Sequence, residues 1–356
     1  MIGRTFKTCA KILAAGVACL VLGVSLSVAQ ETKMVGSVTD AEWGAYKQKF
    51  VQPNGRVVDD GNGGISHTES QGYGMLLAVA ANDPAGFEQI WTFTRTQMLL
   101  RDDGLAAWKW DPNAKPHITD INNATDGDIL IAYALGLAGT NWKQTGYTRA
   151  ARSLAKAIST RTIAEHNGMS IMLPGASGFA KADRADGPVV NPSYWIFEAF
   201  DELKRLDPET DWASLQAGGL KVLDMARTGP SGLPPEWLSL AGTPHPADGF
   251  PVQFSYNAIR IPLYLLRAGL DEAGRLAPYK KAWASGIPSV VNLSSGAPAT
   301  QLGEPGYRMV AASLFCALDK AAVPASLKQF SPTLYYPSTL HLLGLSLVRQ
   351  RYSTCL

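Results

Sequence analysis

The chain has 356 residues, 46% of them apolar and 17% charged, with 34 glycines and 22 prolines. That composition excludes collagen-like, low-complexity and disordered classes, and the length suits one large domain or two modest ones. The formal charge is +2, with no basic run longer than a pair, which leaves no electrostatic footprint for nucleic acid.

At the N-terminus, Arg4, Lys7 and Lys11 precede an apolar stretch from Ile12 to Leu26, followed by Ser27-Val28-Ala29. A basic start, a short apolar core and a small-x-small end predict a signal peptide over residues 1–29, with an uncleaved anchor as the alternative. Cleavage after Ala29 removes three bases and no acids, taking the charge from +2 to −1. The expected product is an exported, periplasmic or secreted protein in which residues 30–356 form a single domain. Cys9 and Cys19 leave with the signal. Cys316 and Cys355 remain, an even pair in an oxidising compartment, either bridged or left as two free thiols.

The rest reads mostly as helices joined by irregular loops. Helices are predicted over roughly 40–50, 69–81, 84–100, 126–139, 145–165, 193–206, 212–227, 254–268, 270–285, 306–320 and 334–349. Strand signals are sparse, confined to pieces such as Val57-Val58. The segment Ile129-Leu130-Ile131-Ala132 with Ala134, Leu135, Leu137 and Ala138 is apolar nearly all round, so it is buried on all sides. The 145–165 helix keeps a solvated face with Arg149, Arg152, Lys156 and Arg161. Inner buried helices alternating with outer amphipathic ones predict an all-α, double-layered helical barrel. The loops Asp102–His117 and Gly229–Phe250, rich in Gly, Pro and Trp, lie at its ends.

Four constellations can carry chemistry. In the first, Asp60-Gly61-Asn62-Gly63-Gly64 feeds a helix in which Glu69 sits in the first turn. Ser66 and Glu69 have capping-box spacing, which is the plain structural reading. Gly72 and Gly74, each worth about 1 kcal/mol against a helix, are left unexplained by capping and suggest a close approach of a ligand or another helix. In the second, Asp126 and Asp128 flank Gly127 at the start of the buried helix. The macrodipole favours acids there, yet two exceed what capping requires. In the third, Arg260 stands in an otherwise apolar helix start. If buried it needs carboxylate partners; otherwise it is an ordinary surface arginine. The fourth is aromatic: Trp108 and Trp110 in the Gly/Pro/Asp-rich loop, and Tyr194 after Pro192, present faces able to stack on the apolar face of a sugar ring.

No CxxC, Cys/His cluster or HExxH suggests a metal, and no cofactor motif appears. The absence of a Gly-x-Ser-x-Gly elbow, a P-loop or a dinucleotide fingerprint disfavours esterase, kinase and dehydrogenase chemistry. Paired carboxyls beside aromatic platforms point to glycoside hydrolysis, which needs one protonated acid for the leaving oxygen and a second group on the opposite face of the sugar.

Ala124-Thr125-Asp126-Gly127-Asp128, followed by Ile131-Ala132, Ala134-Leu135, Ala138 and Trp142, resembles the signature of family 8 glycoside hydrolases. The segments Thr68-Glu69-Ser70-Gln71-Gly72-Tyr73-Gly74-Met75 and Asn257-Ala258-Ile259-Arg260-Ile261-Pro262 resemble that family too, in the right order, and the resemblance runs from about residue 35 to 350. It implies an (α/α)6 barrel with an open cleft and an inverting endo-β-1,4-glucanase (cellulase) of the kind that accompanies bacterial cellulose synthesis. The implied partners are β-1,4-glucan chains and a cellulose synthesis or export assembly, with the protein a monomer needing no cofactor. Glu69 matches the general acid, and Asp126 the acid that holds the sugar at the cleavage point. Trp108, Trp110, Tyr194, Asn257 and Arg260 fall at substrate-binding or acid-positioning places. Many members carry Asp as general base where this chain has Asn257, which cannot take a proton in the same way. Asp126 is the preferred substitute, with Asp248 in the loop just upstream as a second candidate. Alternatives are a chitosanase, xylanase or lichenase, or a glycan-binding protein without catalysis.

Overall fold

Among the described residues eleven α-helices form two concentric layers. The computed structural model describes residues 1–2 and 34–356, so the expected signal peptide lies outside the described residues. From Lys33 to Leu356 the chain forms one compact unit. In chain order the helices are α1 (Asp40–Phe50), α2 (Thr68–Ala80), α3 (Pro84–Gln97), α4 (Thr125–Asn141), α5 (Thr145–Thr162), α6 (Phe200–Leu206), α7 (Trp212–Met225), α8 (Ile261–Arg267), α9 (Ala273–Ala282), α10 (Pro305–Asp319) and α11 (Tyr335–Arg351).

An inner ring runs α2, α4, α6, α8, α10 and α11, each packed on the next, with the 3-10 turn Phe197–Ala199 joining α6 to α8. The helices α1, α3, α5, α7 and α9 lie outside it. The sixth outer position is filled by the return segment 320–334, which holds only a single 3-10 turn, Ala325–Leu327. This is an (α/α)6 barrel.

Sequence sets the layers. In α4 every residue from Thr125 to Gly136 is buried, and in α2 all but Glu69 are, as a helix apolar on every face requires. In α5 burial is confined to one stripe, Ala151, Leu154, Ala155, Ala157, Ile158 and Thr162. Between α2 and α4 there is no room for side chains at the crossing: a Cβ on Gly72 would stand 2.5 Å from Leu130 Cβ. The approach that Gly72 signals is therefore that of another helix. Gly74 serves the same end against Val57 and Ile90.

The barrel closes where α1 meets α11. The Tyr46 and Thr339 hydroxyls lie 2.9 Å apart, Ser37 and Ser346 pair at 2.8 Å, and Arg349 grips Glu42 through both guanidinium nitrogens at 2.7 Å. Cys316 and Cys355 form a disulfide that ties the C-terminus to α10.

Three differences from the sequence expectation have local causes. The helix predicted to 165 ends at Thr162, because Asn167-Gly168, both at positive φ, turn Ile163–His166 back onto Met169–Met172 as an antiparallel hairpin. The helix expected over 193–206 is broken into the 3-10 turns Pro192–Tyr194 and Phe197–Ala199 before α6. The one expected over 254–268 starts late, since Gln253–Phe254 pairs with Val291–Asn292, and Pro262 takes a first-turn position of α8.

Candidate active site

All six inner helices turn their N-terminal ends to one cleft. Its lining takes Thr68 and Glu69 from α2, Asp126 from α4, Tyr194 ahead of α6, Tyr256 and Asn257 ahead of α8, Tyr307 from α10, and Tyr336 and Pro337 from α11. The cavity holds about 600 Å³. One long side is closed by the segment Thr300–Glu304, which continues the hairpin Ser289–Asn292/Pro298–Gln301.

Behind the lining residues Glu69 and Asp126, and not itself in the lining, lies Arg260, only 1% exposed. One terminal nitrogen pairs with Glu69 Oε2. The other donates to Asp126 Oδ2 at 2.6 Å and to Ser193 Oγ at 3.2 Å. The Tyr194 and Tyr264 rings flank the guanidinium at 5.7 and 5.8 Å. The surface-arginine alternative is thus excluded. Burial is tolerated because the planar fork meets two carboxylates at once. A buried cluster of one guanidinium and two carboxyls is neutral only when one carboxyl holds a proton. Burial pushes Asp126 up to about 6, against the pull of Arg260 and with the repulsion of Glu69 adding to it.

The backbone reasons for this geometry differ from the capping-box expectation. Ser66 and Glu69 do not cap α2. His67 is the N-cap, its Nδ1 accepting from Ser70 N–H at 3.0 Å while Ser70 Oγ accepts from His67 N–H at 3.0 Å. Ser66 instead donates to the Val57 carbonyl at 2.6 Å. Freed from capping, Glu69 faces the cleft. In α4, Asp126 Oδ1 accepts from Gly127 N–H at 2.8 Å, and Asp128 turns inward to accept from Ala106 N–H at 3.0 Å and Asn123 Nδ2 at 2.9 Å. Asp128 thus anchors the 102–117 loop, and burial pushes its carboxyl up to about 7. Gly127 lets the two helix starts touch, since a Cβ there would meet Thr68 Oγ1 at 2.0 Å.

Of the aromatic candidates, Trp108 lines the cleft, its Nε1 bonded to Asp120 at 2.8 Å. Trp110 does not. Its ring stacks on His117 at 4.1 Å, with Phe93 edge-on and Arg56 over it. Tyr194 and Asn257 are in the lining. Asp248 is absent from it: exposed, with its N–H bonded to Asp186 and its carbonyl to Arg184. Sequence reasoning missed Tyr256, Tyr307 and Tyr336, together with Glu236, which binds the backbone of Asn257. The Tyr335-Tyr336-Pro337 start of α11 was a legible signal, parallel to the Pro192-Ser193-Tyr194 turn.

Comparison with known proteins agrees with this geometry. The family described as glycosyl hydrolases family 8 matches residues 11–350. A probable endoglucanase of Novacetimonas hansenii is 36% identical over 277 residues, 76% of this chain and 80% of that one. An endoglucanase of Cellulomonas uda is 39% identical over 248 residues, 69% of this chain and 68% of that one. Among solved structures, a family 8 endoglucanase of Klebsiella pneumoniae superposes with a TM-score of 0.80 at 34% identity, covering 88% of this chain and all of its own. An endo-β-1,4-glucanase of Acetobacter xylinum gives 0.78 at 33%, covering 87% and 97%. With the match extending over nearly its whole length and both signature acids gathered on Arg260, the chain belongs to family 8 of the glycosyl hydrolases.

Proposed function

We propose that this protein is an inverting endo-β-1,4-glucanase that cuts internal bonds of cellulose-type chains. The observation that carries the reading is the pair of carboxyls that line an open, aromatic-lined cleft and are held from behind by one buried arginine. Glu69 is the proton donor to the departing glycosidic oxygen. Asp126 grips the sugar at the cleavage point, Arg260 fixes both carboxyls, and Trp108 and Tyr194 provide stacking faces. Pre-set charges of this kind act without reorganising during the reaction. The endoglucanase names of the relatives support the same substrate class.

The test is release of reducing ends from carboxymethylcellulose, chitosan, xylan and mixed-linkage glucan, with the anomer of the first product read by NMR. Fastest release from the cellulose derivative, with an α-anomeric product, is the expected result. Glu69→Gln is expected to abolish it while circular dichroism stays unchanged; wild-type-like turnover by that variant removes Glu69 from the chemistry. A binding-only reading is favoured by one observation, the amide at Asn257. It predicts cello-oligosaccharide binding with no cleavage by the unaltered protein.

Export, residence in the periplasm or outside the cell, a monomeric state and work beside a cellulose synthesis assembly complete the proposal. The support for export is the Arg4–Ala29 pattern, and the link to cellulose synthesis rests on the family resemblance of the sequence. N-terminal sequencing of the protein recovered from a bacterial periplasm checks the first of these, with Gln30 expected as the new N-terminus.

A further inference from the structure

The inference here rests on the hydrolytic reading above and concerns what activates the water. Inversion needs a base on the face of the sugar opposite the acid, with the two carboxyls about 6.5–9.5 Å apart. Asp126 is poorly placed for that work. It and Glu69 sit on neighbouring nitrogens of the same guanidinium, so they stand side by side. Asp248 is outside the cleft. Two other carboxyls in the lining are engaged: Asp59 accepts from His67 and Gly61, and Glu304 from the Thr333 hydroxyl at 2.7 Å.

One carboxylate is attached directly to Asn257. Glu236, in the loop Pro234-Pro235-Glu236-Trp237, accepts the Asn257 N–H on Oε1 at 2.7 Å, and its own N–H reaches the Gln253 carbonyl. It is 9% exposed and does not itself line the cleft, whereas Asn257 does. The 2.7 Å bond is to the Asn257 backbone, and the Asn257 side chain is a further hydrogen-bonding neighbour of the same carboxylate. We propose that Glu236 takes the proton from the attacking water through the side chain of Asn257.

The step balances. The water oxygen bonds to the anomeric carbon as the bond to the leaving oxygen breaks, and that oxygen receives the proton of Glu69. A water proton passes to Asn257 Oδ1 while an Nδ2 proton passes to Glu236. The transient imidic acid returns to the amide when Glu236 gives its proton back to Nδ2 and the Oδ1 proton leaves to solvent, from which Glu69 regains one. Glu236 acts through Asn257, so it is a positioning residue with a proton-accepting role. Burial pushes its carboxyl up, against the hydrogen bond from the Asn257 backbone, the charge of Arg260 and hydrogen bonding by the Gln253 and Asn257 side chains. A base is more effective when its pKa approaches the working pH. Arg260 from the turn before α8 and Tyr194 from the 192–194 turn are the charged and titratable groups acting on it.

The experiment compares unaltered protein, Glu236→Gln, Glu236→Asp and Glu236→Gln combined with Asn257→Asp on cellohexaose across pH. Gln at 236 keeps an acceptor for the Asn257 N–H, so the loop hold survives and only the proton sink is lost. The expected result is a fall in kcat of about 100-fold or more, within the usual acid–base range. KM is expected to stay within about threefold and the thermal midpoint to be unchanged, with the acidic limb of the pH profile gone. Glu236→Asp keeps part of the rate. Asn257→Asp placed in the Gln background restores at least about tenfold by supplying a carboxylate directly, and azide, which needs no base, restores turnover as the α-glucosyl azide. Normal turnover by Glu236→Gln overturns the proposal and points to Asp59 or Glu304. Loss that neither Asn257→Asp nor azide repairs overturns it as well, leaving Glu236 a loop anchor. An unaltered protein inert on every β-glucan defeats the hydrolytic reading itself, a separate outcome.

Discussion

Arg260 carries the centre of this molecule because its fork satisfies two carboxylates that belong to different helices. A lysine reaches one acid at a time and cannot reproduce the bidentate geometry. Arg260→Lys is therefore expected to lower kcat by about 100-fold or more, and to destabilise the fold by about 3–5 kcal/mol, the usual cost of leaving a buried charge unpaired. Initial rates and urea denaturation measure the two effects separately; full stability together with full activity would contradict the assignment. Asp128 makes the pH dependence testable at a residue outside the chemistry. Its folded-state value of about 7 lies above the unfolded value near 3.9. The folded protein thus keeps a proton that the unfolded chain has released, and this residue's contribution to stability falls as pH rises from about 4 to about 7. Asp128→Asn is expected to lose that slope. The stability of the unaltered protein relative to the variant should then be higher at about pH 5 than at about pH 7.5, and a constant difference would refute the argument. That Arg260 would need carboxylate partners was legible in the sequence, because a cation in an apolar helix start is costly unless paired; Glu69 read locally as half of a capping box, and only the family resemblance set it apart. Glu236 was not legible. It lies 21 residues before the amide it binds, in a proline-rich loop whose path only the folded chain defines.

At the scale of elements, the active geometry depends on how closely α2 and α4 approach. Gly72 and Gly127 are the points of contact, and a methyl group at either would stand 2.5 Å or less from a neighbouring atom. Gly72→Ala is expected to cost about 1–3 kcal/mol through overpacking. Gly127→Ala is expected to add a fall in kcat, since its Cβ would press on Thr68 and on the Glu69 N–H. Equilibrium unfolding and steady-state kinetics distinguish the two positions; a Gly127→Ala enzyme of unchanged kcat would show that the helix starts yield without moving Glu69. The helices themselves could be read from sequence because 3.6-residue periodicity and caps such as Asp83-Pro84 are local signals, and α1 begins and ends where periodicity places it. The strands were largely invisible for an equally physical reason. Many are two residues long and owe their form to a partner distant in the chain. Asn167-Gly168 is the exception, a hairpin signal overridden by the helical pattern leading into it.

The whole molecule is held by its two ends as much as by its core. The disulfide spans a sequence separation of 39, for which chain entropy gives about 4 kcal/mol at 25 °C. Cys355→Ala is expected to lower the unfolding free energy by about 2–4 kcal/mol and leave kcat unchanged. Cys316 sits near the C-terminal end of α10, about 16 Å along the helix from the cleft end at 1.5 Å per residue. Thermal scans with and without reductant report the first effect, and a parallel fall in kcat would show that the tether reaches the site. The seam between α1 and α11 has a consequence for how the protein comes into being. Its contacts join positions about 300 apart, such as Ser37 with Ser346 at a separation of 309. Spanning a loop ten times longer than a local one adds only about 2 kcal/mol of entropy, so the cost is chiefly one of waiting. Until the last stave has left the ribosome the nascent polypeptide is an unfinished arc, with the flank of α2 wet and nothing yet available to cover it.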